Sequence, residues 1–302
     1  MVGRALAEEA RSRSMQVLGG SSRDLDFRDR ESTFKELEVL RPECLIIAAA
    51  KVGGIVANDT FPVEFLSENL QIQTNLIDSA FNAGIERVLF LGSSCIYPKF
   101  AVSPISEEAL MTGPLEPTNE TYAIAKIAGV TLINAYRREY GKHWISAMPT
   151  NLYGPYDNFD DKSSHVLPAL INRFHLAKES GRSEVTIWGD GSALREFLHV
   201  SDLAKACFDL LERYDDSVAL NIGSGQEVSI YSLAQTVAKA VGFEGQIVFD
   251  KSKPNGTPRK YLNSSRISQL GWQPSITLEV GIRQTYEWYL TNQQDLRSVR
   301  LA

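Results

Sequence analysis

Apolar residues in the first half of the chain gather into short unbroken runs, separated by segments of helical period. Cys44-Leu45-Ile46-Ile47-Ala48-Ala49-Ala50, Arg87-Val88-Leu89-Phe90-Leu91 and Trp144-Ile145-Ser146-Ala147-Met148 are continuous rather than alternating. A strand apolar on both sides belongs in a sheet covered on both faces. Between these runs the spacing predicts helices over Arg4 to Met15, Thr33 to Leu40, Pro62 to Ala83 and Asn119 to Tyr140, the last stopped by Gly141. Thr33 and Glu36 have capping-box spacing, which starts the second of these helices at Thr33. Gln16-Val17-Leu18 predicts a short strand ended by Gly19-Gly20. This alternation predicts an α/β fold with a Rossmann-like doubly wound parallel sheet.

After Pro149 the pattern loosens. Val185 to Trp188 and Ile247 to Phe249 predict short strands, and Leu278 to Asn292 a terminal helix. A smaller α/β substrate domain over 151–302 is expected to interleave with a dinucleotide-binding domain over 1–150. No internal repeat or low-complexity segment interrupts either part.

The 302 residues are 43% apolar and 23% charged, enough to build a sizeable core. The net charge of −6 argues against nucleic acid, which demands a basic stripe, and leaves a phosphorylated small molecule open. No apolar run is long enough for a spanning helix, and the charged opening Met1 to Arg13 has no signal-peptide core, so no membrane is expected. Cys44, Cys95 and Cys207 are odd in number and far apart, which fits a reducing, cytoplasmic compartment. The four histidines lack metal-ligand spacing, so no metal is expected.

Candidate chemistry starts at the N-terminus. Met1-Val2-Gly3-Arg4 reads as the last glycine of a phosphate-cradling turn running into a helix, with the first strand and earlier glycines missing. Gly3 alone reads more readily as an ordinary N-terminal glycine, so the case rests on later residues. The mid-turn entry leads to the expectation that Met1 is an internal methionine of a longer protein. Arg23-Asp24-Leu25-Asp26 falls where the adenosine half of a dinucleotide is read. Arg23 suits a 2′-phosphate, which favours NADPH, and equally suits a solvated surface position.

Tyr122-x-x-x-Lys126 puts a phenol and an ammonium one helical turn apart. A nearby cation favours phenolate, which brings tyrosine into acid–base range. Gly92-Ser93-Ser94-Cys95 follows an apolar strand, at the end of a parallel sheet where ligands bind. Each motif alone also describes a solvated helix pair or a turn; together they are more specific.

These residues carry a resemblance. The chain resembles the GDP-L-fucose synthases, a branch of the extended short-chain dehydrogenase/reductases, from Val2 nearly to its C-terminus. The matching stretches are Ala48 to Ile55, Leu91 to Pro98, Tyr122 to Lys126, Pro149 to Pro155 and Arg195 to Val200. The resemblance implies 3,5-epimerisation and NADPH-dependent 4-reduction of GDP-4-keto-6-deoxy-D-mannose. It assigns Tyr122 as proton donor to the C4 oxygen, Lys126 as its partner on the nicotinamide ribose, and Ser93 as a hydrogen-bond partner of that oxygen. Cys95 and His165 become the base and acid of epimerisation. Cofactor contacts would fall on Gly3, Arg23, Asp24, Leu25, Asp26, Ala48, Ala49, Ala50, Lys51, Leu91, Gly92, Ser93, Ser94, Lys126, Pro149, Thr150, Asn151, Leu152 and His165. Arg173, Trp188, Arg195 and Asn255 would hold the GDP-sugar, with Asn255 standing where the family usually carries Asp. A homodimer through the helices at Pro62 to Ala83 and Asn119 to Tyr140 is also implied. Two other readings stay open: a nucleotide-sugar epimerase or dehydratase without net redox, and a non-catalytic Rossmann remnant.

Overall fold

A computed structural model describes residues 1–19, 25–160, 163–253 and 257–296. The chain opens with α1 (Val2–Ser12), α2 (Arg30–Leu40), β1 (Cys44–Ile47), α3 (Ile55–Thr60), α4 (Pro62–Asn82), β2 (Arg87–Leu91), α5 (Glu120–Tyr140) and β3 (Ile145–Pro149). It continues with β4 (Asn151–Tyr153), α6 (Val166–Glu179), β5 (Glu184–Trp188), β6 (Leu194–His199), α7 (Val200–Arg213), β7 (Leu220–Ile222) and β8 (Glu227–Ser229). It closes with α8 (Ile230–Val241), β9 (Gln246–Asp250), β10 (Arg259–Lys260), α9 (Ser265–Gln269) and α10 (Leu278–Thr291).

The main sheet has the order β1-β2-β3-β7, all parallel. Successive side chains of a strand point to opposite faces, so a continuous apolar run feeds two cores. Leu89 and Leu91 of β2 pack with α1 and α7 through Leu6, Ala10, Leu203 and Cys207. Val88 and Phe90 pack on the other face with α4 and α5 through Ile77, Ala80, Val130 and Ile133. Parallel connections with helices on both faces make this the doubly wound arrangement expected from the sequence.

The later half builds a second core from α6, α8 and α10 over β5 and β6, centred on Phe174, Leu233, Val237 and Ile282. Its strands form two small groups: β10-β6-β4 with β8 antiparallel to β6, and the parallel pair β5-β9. Residues beyond 150 also return to the main sheet, because β7 pairs with β3 and α7 covers its face.

Three local expectations change. Gln16-Val17-Leu18 is not a strand. A strand exists through its ladder of hydrogen bonds, and no neighbour among the described residues supplies one. Met15 and Leu18 are exposed there, and only Val17 reaches the core. Helix α2 begins at Arg30 rather than Thr33, because the Asp29 side chain caps it by accepting from Ser32 N. Thr33 is instead buried and donates its hydroxyl to Asp29 O at 2.6 Å. The apolar run from Cys44 stays a strand only to Ile47, and the chain then turns into a loop.

Candidate active site

The candidate catalytic residues gather where β2 ends and α5 passes over the sheet. At Gly92 the chain turns tightly against β3: its N–H donates to Ala147 O at 2.9 Å, and a Cβ would stand 2.4 Å from Met148 Sδ. Ser93 then opens a single 3-10 turn, Ser94–Ile96, and accepts from Cys95 N at 3.2 Å. Ser94 is buried while Ser93 and Cys95 stay half-buried.

Tyr122 lies in the first turn of α5, hydrogen-bonded to Ser93 and edge-on to the Phe65 ring. Burial raises its pKa, Cys95 raises it further, and the Ser93 hydrogen bond opposes them. The phenol therefore holds its proton and is an acid in this structure. Lys126, one turn on, is only 3% exposed and donates to Leu91 O at 2.8 Å. Its Nζ lies 4.8 Å from the Phe90 ring centroid and 6.0 Å from that of Tyr122. Burial lowers its pKa to about 8, and no carboxylate among the described residues pairs with it. Helix α5 comes this close because Gly129 has no side chain: a Cβ there would stand 2.3 Å from Phe90 Cζ.

The loop after β1 carries Ala48, Ala49, Ala50 and Lys51, all half-buried. Asn69 of α4 pins it, accepting from Lys51 N at 2.9 Å and donating to Lys51 O at 3.0 Å. The Lys51 ammonium pairs with Glu64 and Glu68. Gly54 N donates to Ser163 O at 3.0 Å, and a Cβ on Gly54 would stand 2.6 Å from Ser164 O. That close approach fixes the segment leading to His165, the N-cap residue of α6. His165 keeps a solvent-exposed surface, and desolvation by the surrounding protein, then the Lys260 charge, lower its pKa. Lys260 Nζ lies 3.3 Å from Cys95 Sγ.

Pro149 ends β3, where Thr150 N donates to Ile222 O at 3.0 Å and Asn151 Nδ2 to Glu196 O at 2.8 Å. Thr150 is buried, and Asn151 and Leu152 are half-buried in the passage to β4. Arg195, on β6, is the register partner of Lys260 on β10. It donates to Leu194 O at 2.8 Å, and burial lowers its pKa. Arg173 of α6 donates to Thr186 O at 3.1 Å, and Trp188 of the same β5 strand is 55% exposed. Gly3 lies in the exposed first turn of α1, with open space where a Cβ would be. Leu25 is half-buried; Asp26 pairs with Arg28, which holds its carboxyl below the ordinary value. Arg23, Asp24 and Asn255 lie outside the described residues.

The structure thus brings Ser93, Tyr122 and Lys126 together with Cys95, and sets the Lys260 ammonium against the Cys95 sulfur. Asn69 and Lys260 did not stand out in the sequence. Asn69 is one polar residue on a long helix, and Lys260 lies 165 positions from Cys95, so no local spacing marks either.

Residues 1–223 match the NAD dependent epimerase/dehydratase family. The chain belongs to this family. It is 59% identical to GDP-L-fucose synthase 1 of Arabidopsis thaliana over 264 residues, spanning 87% of this chain and 81% of the relative. Against GDP-L-fucose synthase of Escherichia coli the identity is 46% over 307 residues, spanning 98% and 96%. Among solved structures, a GDP-L-fucose synthetase from Naegleria fowleri bound to NADP superposes with a TM-score of 0.90 at 29% identity, over 98% of this chain and 93% of that one.

Proposed function

We propose that this family member converts GDP-4-keto-6-deoxy-D-mannose to GDP-L-fucose by epimerising C3 and C5 and then reducing C4 with NADPH. The observation that carries the reading is the meeting of two chemistries at one site. A protonated phenol held by a serine stands beside a thiol that the Lys260 ammonium contacts, and the same charge bears on the His165 imidazole. GDP-L-fucose synthases of Arabidopsis thaliana and Sinorhizobium fredii share 59% and 52% of the aligned sequence with it.

The site fits the cofactor. A buried ammonium without a carboxylate partner calls for acceptors such as ribose hydroxyls, and the Gly92 turn exposes backbone at a strand's carboxyl end. Lys126, Leu91 to Ser94, Ala48 to Lys51, Pro149 to Leu152 and His165 would hold it, with Gly3 at the helix N-terminus and Leu25 and Asp26 toward its adenosine half. Bound NADPH supplies the hydride for C4.

The protein's own groups do the rest. A ketone at C4 acidifies the hydrogens on C3 and C5. Cys95 takes such a proton, the electron pair moves onto the C4 oxygen, and Ser93 and Tyr122 hold that oxygen. His165 returns a proton to carbon. Tyr122 later gives its proton to the C4 oxygen as the carbonyl is reduced, which ends carbon acidity and locks the stereochemistry. Arg173 and Arg195 offer guanidinium forks to the diphosphate, and the exposed Trp188 indole offers a face to the base. In this reading residues 1–150 hold the cofactor and 151–302 mainly the sugar nucleotide. A cytoplasmic setting fits the three free cysteines. Two copies would pair through α4 and α5, which expose Val63 and Ile124.

The test is NADPH absorbance on adding GDP-4-keto-6-deoxy-D-mannose to the purified chain, whose mass is read by light scattering. Expected are one NADPH consumed per sugar, a dimer mass, and a rate at least about a hundredfold lower in Tyr122→Phe. Sugar conversion without NADPH loss would mean an epimerase without net redox. Cofactor binding without turnover would mean a non-catalytic protein.

A further inference from the structure

Lys260 is not a free surface lysine. Its neighbours in the chain are pinned on both sides. Arg259 forks onto Glu227 with two bonds of 2.7 Å, and Tyr261 O accepts from Ile105 N at 2.7 Å while its hydroxyl donates to Gly225 O at 3.1 Å. Leu262 N donates to the buried Glu196 carboxylate at 3.1 Å. The β10 backbone is therefore fixed, and the Lys260 ammonium is carried to 3.3 Å from Cys95 Sγ.

We infer that Lys260 is the positioning residue of the epimerising base: it aims the Cys95 sulfur and favours the anion on it. This rests on the role of Cys95 proposed above. A cation in contact with a thiol stabilises the thiolate, the form that accepts a proton from carbon. Lys260 contacts the Cys95 sulfur and the Tyr122 phenol feels its charge, while the Ser93 hydroxyl accepts from the Cys95 backbone N–H. The groups facing Lys260 are Cys95, His165 and, across the β6 pairing, Arg195. The neutral Tyr122 and Ser93 bring no countercharge, so Lys260 is the cation in direct contact with the sulfur.

The experiment is iodoacetamide alkylation of the 302-residue chain across pH, read peptide by peptide in the mass spectrometer, with Cys44 on β1 as internal standard. In Lys260→Gln the Cys95 profile should move to higher pH, and alkylation near neutrality should slow about tenfold, which equals one pK unit. Lys260→Arg, which keeps the charge, should follow the parent. Superimposed Cys95 profiles for the parent and Lys260→Gln overturn the inference. A second measurement leaves Lys260 untouched: the thiolate absorbance lost in Cys95→Ser, titrated in parallel with the parent. A Cys95 midpoint below the ordinary thiol value of about 8.5 supports the inference, and one at or above it overturns it. Neither assay uses the sugar, so failure here is distinct from failure of the NADPH assay.

Discussion

Lys126 shows how a binding group acts before its ligand arrives. Folding takes its ammonium out of water without a carboxylate to meet it, and its pKa falls from 10.5 to about 8. Between these values the unfolded chain binds a proton that the folded chain sheds. Stability therefore climbs as pH rises through that window, and below about pH 8 the full burial cost is present. Lys126→Met should raise neutral-pH stability by about 1–3 kcal/mol, a few degrees in Tm, with the gain gone above about pH 10.5. Thermal melts across pH check this, and NADPH oxidation by the same variant should be lost. The Tyr122 and Lys126 pair is legible as spacing. The balance of forces on it is not: the ammonium favours phenolate, yet burial and Cys95 together keep the phenol protonated.

At the scale of elements, α5 delivers both residues, and its depth over the sheet is set by Gly129. A methyl there meets Phe90 Cζ at 2.3 Å and must push the helix or the ring aside. Gly129→Ala should destabilise by about 1–3 kcal/mol through overpacking and lower kcat by displacing Tyr122, with little change in the loop held by Asn69. Urea unfolding and NADPH turnover check the two effects. Helices α4 and α5 and the strands β2 and β3 are legible because each satisfies its own periodicity over many residues. Strands β4, β8 and β10 have two or three residues each and are defined by distant partners, so their sequences carry almost no signal. Gln16-Val17-Leu18 is the converse, a short run that no strand among the described residues pairs.

Across the whole molecule, Glu196 joins segments far apart in the chain, and its backbone oxygen receives the Thr150 hydroxyl from the end of β3 at 3.3 Å. It is wholly buried on β6, and its carboxylate accepts from Gly225 N at 2.9 Å and Leu262 N at 3.1 Å. Its backbone oxygen receives Asn151 Nδ2 from the strand leading out of the main sheet. Glu196→Ala would leave the buried Leu262 N–H unpaired, at about 1–3 kcal/mol, and would free the part-buried Gly225 N–H at a smaller cost. A loss of about 2–5 kcal/mol in urea unfolding is expected, larger than for Glu196→Gln, which keeps one acceptor. Burial raises the Glu196 pKa, so its cost grows as pH rises above the unfolded carboxyl value.

The sequence by itself determined the alternation of buried parallel strands and helices, and placed Ser93, Cys95, Tyr122 and Lys126 at strand ends and on a helix. Those properties follow from local periodicity and from short fixed spacings. Tertiary structure alone decided that the strand expected at Gln16 has no partner among the described residues, that Asn69 holds the Lys51 loop, and that Lys260 reaches Cys95 across 165 positions. Each of these depends on a group far away in the chain, and the energy of such a contact exists only once the backbone between has been folded.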